Sequence, residues 1–127
     1  MKERIITSTY LSHHPLHVFV FGDNKLRRGT AGAAKLRYLP NTYGFITQKY
    51  PSRDNEAHYH AREYEQIYKK EIEKLRKFIK DCPVRTFLIS RVGGGLANQY
   101  RIWQKVIQPN IRKDLGDLPN VEFLWEE

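Results

Sequence analysis

The chain has 127 residues, 40% of them hydrophobic, with a single cysteine and a net charge of +8. Such a length and composition predict one domain, residues 1–127, with a core that needs neither disulfides nor a structural metal, and they exclude a disordered chain. The lone Cys82 fits a reducing cytoplasm, no apolar run reaches membrane-spanning length, and the excess of basic side chains points to anionic partners rather than to a membrane.

Residues 4–10, RIITSTY, are rich in β-branched side chains and predict a first strand. The run HVFVF over 17–21 is continuously apolar after its histidine, as expected of a strand buried on both faces. Thr30 is placed to cap a helix over 31–39, which Pro40 ends. Residues 41–46 predict a strand interrupted by Gly44, and 51–55 a polar loop. Over 56–80, Ala61, Tyr64, Ile67, Tyr68, Ile72, Leu75, Phe78 and Ile79 recur at helical spacing, which predicts a long amphipathic helix with its tyrosines in the core. A second buried strand follows over 86–90. After it come Gly93-Gly94-Gly95, a helix through Trp103 and Val106, a turn over 110–115 and a closing strand over 121–125. The order β-β-α-β-α-β-α-β predicts an α/β domain of three αβα layers around a mixed, largely parallel sheet. Ligands of such sheets sit beyond the carboxyl ends of the strands.

A strand, a glycine turn and a helix start occur twice, in VFVFGDNKLRRGTAGAAKL (18–36) and in FLISRVGGGLANQYRIW (87–103). Backbone N–H groups at such a junction lack partners and suit phosphate. Two such turns predict one shared cleft for a ligand with more than one phosphate. In the first turn, after Gly22, Asp23 and Asn24 are the candidate catalytic residues: Asp23 as a base if buried, Asn24 orienting a ribose hydroxyl or a water. The competing reading is an Asx-turn, in which both bond their own backbone. Gly29, Gly32 and Ala33 admit close approach of a ligand, or tight packing, beside Arg27 and Arg28. In the second turn, three consecutive glycines each cost about 1 kcal/mol relative to alanine, more than a simple turn requires. Close approach of a pyrophosphate accounts for the excess. Arg91 is a candidate phosphate clamp, and Asn98 caps the following helix or reads a polar ligand.

From 24 to 53 the chain carries seven basic residues, Lys25, Arg27, Arg28, Lys35, Arg37, Lys49 and Arg53, and no acidic one. The stretch predicts a positive field around the first turn. The histidines make no metal-ligand spacing, so no metal is expected, and no cofactor motif is present.

VFVFGDN followed by GTAGAA resembles the macrodomain arrangement, and LISRVGGGLANQ, a helix and VEFLWEE resemble that family's second phosphate loop, last helix and closing strand. With PNTYGFITQKYPS included, the string is similar to small macro-like proteins of T4-type bacteriophages. The resemblance implies an ADP-ribose-type ligand, with removal of ADP-ribose from a target as the associated activity. It implies that Asn24 orients the distal ribose, that Gly29, Gly32 and Ala33 border that ribose and its phosphate, and that Gly93, Gly94 and Gly95 wrap the pyrophosphate. The family's early acidic reader of adenine has no counterpart in Ile6-Thr7-Ser8. Two alternatives stand beside this reading. One is a nucleic-acid-binding module that uses the basic stretch with Tyr38, Tyr43 and Tyr50. The other is a phage-type protein that binds a host protein without chemistry.

Overall fold

The computed structural model describes residues 2–126; Met1 and Glu127 lie outside it. Its centre is a four-stranded sheet of β1 (His17–Asn24), β2 (Thr42–Gln48), β3 (Thr86–Ile89) and β4 (Val121–Phe123). The order is β2-β1-β3-β4, and every neighbouring pair is parallel. Alternation along β1 sends Val18 and Val20 to one face and Phe19 and Phe21 to the other, so both faces are buried. The larger core packs Val20, Phe45, Phe87 and Ile89 under α2 (Ala61–Asp81), α3 (Ile111–Leu115) and Trp103. The smaller core packs Phe19, Phe21 and Leu88 against Ile6, Leu11, Ala34 and Leu36. The domain is therefore a three-layer α/β fold.

The expected first strand is not formed. Residues 8–13 are a short helix, α1 (Ser8–His13), and Thr7 Oγ1 accepts from Tyr10 N at 3.1 Å. A local side-chain cap outweighs β-propensity here, because this segment has little sheet edge to join. A single antiparallel bridge, Glu3 to Trp125, the bonds from Arg4 N to Leu124 O at 2.6 Å and from Glu126 N to Lys2 O at 2.9 Å, and the Arg4–Glu122 pair at 3.4 Å link the start of the chain to its end.

The long helix forms as α2, starting at Ala61 rather than 56, with His60 N donating to Glu63 Oε1 at 3.1 Å. Its buried face also protects the edge strand β2. Tyr64 Oη donates to Ile46 O at 2.5 Å, and Ile46 N donates to the buried Glu71 Oε1 at 2.7 Å. These side chains occupy backbone groups that an edge strand would otherwise offer to another chain. Burial pushes the Tyr64 and Tyr68 phenols up, so both stay protonated donors.

The two helices expected after the glycine turns are short and irregular. The first is a five-residue 3₁₀ turn, Gly32–Leu36. The second is a π-helical turn, Trp103–Ile107, closed by Gln108 N donating to Trp103 O at 2.7 Å. Pro109 lacks an N–H, and its ring crowds the carbonyl one turn earlier, a known cause of widened helix ends. Among the described residues no helix is long and apolar enough to cross a membrane.

Candidate functional site

The two glycine turns meet at the carboxyl ends of β1 and β3. A Cβ on Gly22 would lie 3.4 Å from Gly93 N and 3.2 Å from Thr47 Oγ1, so the absence of a side chain at Gly22 lets the second turn close on the first. They enclose an open cleft of about 1040 Å³. Of the residues expected from sequence, Gly22, Asp23, Asn24, Arg28, Gly29, Gly32, Ala33, Arg91, Gly93 and Gly95 line it, whereas Arg27, Gly94 and Asn98 do not.

Asp23 lines the cleft, but its carboxylate is held in an ion cluster. Its side chain is 2% exposed; Arg37 Nη2 reaches Oδ1 at 2.7 Å, and Arg37 Nη1 and Arg27 Nη1 reach Oδ2 at 3.2 and 3.3 Å. Asn24 N also donates to Oδ1 at 2.8 Å. With both oxygens engaged by guanidinium donors, this is the setting of a structural carboxylate rather than of a free base. Asn24 forms the Asx-turn: Oδ1 accepts from Leu26 N at 3.0 Å and Nδ2 donates to Arg28 O at 2.7 Å.

Arg37 is the organiser that sequence reasoning counted only as charge. Besides Asp23 it donates from Nε to Gly29 O at 2.7 Å and from Nη2 to Arg28 O at 3.2 Å, and its guanidinium lies 5.3 Å from the Phe21 ring centroid. It therefore ties the Arg28–Gly29 segment to the end of β1. Arg27 turns away from the cleft, to Gly44 O at 2.6 Å. Gly44 is the second residue missed. A Cβ there would overlap Asp23 Oδ2 and sit 2.9 Å from Arg27 Nη1. A glycine inside a strand pattern is a sign of such close approach, and that was the available signal. Nothing in the sequence links Arg37 to Asp23.

The triple glycine has three separate reasons. Gly93 has φ +79, and its Cβ would press on Ile107 Cδ1 at 2.6 Å. Gly94 carries the Arg91 guanidinium against it, with Arg91 Nη1 donating to Gly94 O at 2.9 Å. Gly95 has nothing within 4 Å and opens onto the cleft. Arg91 lies over Trp103 at 4.9 Å, and its buried Nε has no hydrogen-bond partner among the described residues. Asn98 caps, as Oδ1 accepts from Trp103 N at 3.0 Å, and Nδ2 donates to Gln104 Oε1.

The triple-glycine loop is stitched to the loop between β2 and α2. The buried His58 ring bridges two carbonyls, Nδ1 2.8 Å from Asp54 O and Nε2 3.1 Å from Leu96 O. Gln99 Nε2 donates to Asn55 Oδ1, and Tyr100 stacks on His60 at 3.9 Å. His58 was read from sequence only as unsuited to a metal; no spacing predicts this bridge. Among the described residues no three His, Cys, Asp or Glu side chains come together to hold a metal ion.

Neither turn opens a helix long enough to present a dipole, so the anion field expected from helix starts is replaced by loop donors. Gly29, Thr30 and Ala31 on one wall, and Gly93, Gly95 and Leu96 on the other, have backbone N–H groups with no acceptor among the described residues. The basic stretch contributes less than its count. Arg27 and Arg37 neutralise Asp23, and Lys49 pairs with Glu63 at 3.3 Å, which leaves Arg28 and Arg53 at the cleft with Arg91. Glu3 faces them, its Oε2 accepting from Arg91 N at 3.4 Å. A separate groove of about 710 Å³ between α2 and α3 contains none of the expected site residues, and its wall is built on the Tyr68–Asp114 and Arg76–Asp117 contacts.

These features define an α/β domain with an open, donor-rich cleft at the carboxyl end of a parallel sheet. Residues 1–98 match the model of a family of unknown function (DUF7831), and the chain belongs to that family. The matched span includes both glycine turns and ends before the π-helical turn. No curated protein and no solved structure matches the chain.

Proposed function

We propose that the cleft binds a diphosphate-containing nucleotide, with ADP-ribose as the type ligand. One observation carries this reading: Gly29, Thr30 and Ala31 on one wall and Gly93, Gly95 and Leu96 on the other line one cleft, all with backbone N–H groups that have no acceptor among the described residues, and Arg28, Arg53 and Arg91 stand around them. Oriented backbone donors on two walls, backed by guanidinium groups, match the several oxygens of a diphosphate better than a single anion. The resemblance to macrodomains in VFVFGDN, GTAGAA and the GGG loop supports the same ligand class. Asp23 and Asn24 are engaged internally, so the reading rests on binding, with Asp23 holding Arg37 and Arg37 holding the first loop. Titration calorimetry with ADP-ribose and with NAD tests it. Saturable heat, with the dissociation constant raised about tenfold in Arg91→Ala, is the expected result, and no heat at millimolar ligand refutes the proposal.

A further inference from the structure

A nucleobase is commonly recognised by stacking on an aromatic face and by amide or carboxylate groups on its edge. The cleft offers almost none of these. No Phe, Tyr or Trp among the described residues lines it. The rings that adjoin it are covered: Phe21 by Arg37 at 5.3 Å, Trp103 by Arg91 at 4.9 Å, and Tyr100 by His60 at 3.9 Å. The amides on its walls are partly engaged. Asn24 uses both ends in its turn, and Gln48 and Gln99 are each tied by Nε2, to Ser52 O at 2.6 Å and to Asn55 Oδ1, with their carbonyl oxygens unbonded among the described residues. The hydroxyls of Thr47 and Ser90 donate to Asp23 O and Val20 O.

What stays open is mainly of one chemical character. Apart from the Gln48 and Gln99 carbonyl oxygens and the Thr30 hydroxyl, the loop N–H groups and the Arg28, Arg53 and Arg91 guanidiniums are donors that suit phosphate oxygens. Arg91 is posed for this. Its Nη1 is held by Gly94 O, its plane by Trp103 and its Nε is buried, so the guanidinium is fixed with Nη2 lacking an acceptor among the described residues. Glu3 is the charged exception on the wall, a carboxylate in no ion pair among the described residues.

We propose that the cleft recognises the diphosphate group of its ligand and is indifferent to the base, so that base-free organic diphosphates belong to its ligand class. This rests on the reading of the cleft as a diphosphate site. The experiment is calorimetric titration of the full chain with ADP, GDP, UDP and methyl diphosphate, repeated on Arg91→Ala, Arg28→Ala and Glu3→Gln. The expected result is four dissociation constants within about threefold of one another, all raised by a common factor of about tenfold in Arg91→Ala, with no change of ranking in Glu3→Gln. Arg28→Ala, at an exposed side chain, gives the same uniform weakening should Arg91→Ala fail to fold. One nucleotide binding more than about tenfold tighter than the others, or methyl diphosphate binding that much weaker than ADP, overturns the proposal and leaves the diphosphate reading standing. A preference that disappears in Glu3→Gln overturns it in favour of base readout by that carboxylate. Binding of none of the four removes the diphosphate reading together with it.

Discussion

Replacing Gly44 by alanine puts a methyl group inside the Asp23 ion cluster. The strand geometry at Gly44, paired with Phe21 in the ladder, accepts alanine, and in an open strand the change would stabilise by about 0.5–1 kcal/mol. Here the new carbon would overlap Asp23 Oδ2 and lie 2.9 Å from both Asp23 Cβ and Arg27 Nη1. The carboxylate cannot yield freely, because Arg37 grips both its oxygens and its side chain is 2% exposed. Overpacking costs about 1–3 kcal/mol and loss of a buried charge partner about 3–5 kcal/mol. Arg27 is 50% exposed and can be rehydrated, which places the net loss at about 2–4 kcal/mol. For a domain of this size that is a fall in melting temperature of about 6–12 °C. Urea denaturation of Gly44→Ala in the wild-type and Asp23→Ala backgrounds measures it. With the carboxylate gone the overlap with Oδ2 is relieved while the 2.9 Å approach to the residue 23 Cβ remains, so the loss should fall to about 1 kcal/mol. Equal losses in both backgrounds, or no loss in either, would refute the reasoning.

Glu71→Ala removes the acceptor of Ile46 N at the edge of β2 and should cost about 1–3 kcal/mol, read as a lower urea midpoint; an unchanged midpoint counts against the edge-protection role. Gly93→Ala, at φ +79 and against Ile107, should destabilise by about 1–3 kcal/mol, whereas Gly95→Ala should leave stability within about 0.5 kcal/mol and weaken diphosphate binding. If Gly95→Ala binds like wild type, that residue does not face the ligand. Arg76 forks Asp117 at 2.7 Å through both Nη atoms and holds its carboxyl down to about 2, below its ordinary 3.8. A depressed carboxylate contributes stability above its unfolded value and loses it as pH falls through the folded one. The melting-temperature gap between wild type and Asp117→Asn should therefore persist down to about pH 4 and close by about pH 2. A gap that stays constant across that window would show that the ion pair is not its source.

The layers were legible because hydrophobic period carries them. VFVF could only be a strand covered on both sides, and the 61–79 stripe only a long helix with its tyrosines inward. The meeting of the two glycine turns was legible too, since strand ends in a parallel sheet share an edge. Residues 4–10 misled because their β-branched content outran the local cap at Thr7. The site's internal wiring was hidden for a different reason. The partnerships Asp23–Arg37, Asp23–Gly44 and His58–Leu96 join segments far apart in the chain and leave no spacing to read. The basic stretch looked like a field and proved to be partly a set of ion pairs, because acids outside it, Asp23 and Glu63, fold back onto it.

The π-helical turn has a bearing on chain length. Trp103, Ile107, Ile111 and Leu115 are all buried, each four residues from the next. On an uninterrupted α-helix that spacing overshoots a fixed face by about 40° per step. The wider turn closed by Gln108 N and Trp103 O takes some of that overshoot back. It acts as a phase correction: Ile107 stays under Gly93 while Ile111 and Leu115 stay in the core. Deleting one residue within Trp103–Ile107 would turn the rest of that segment by about 100° and take Ile107 away from Gly93. The distance between Gly93 and Ile107 is thus held by the π-helical turn, and changes of chain length belong outside Trp103–Ile107.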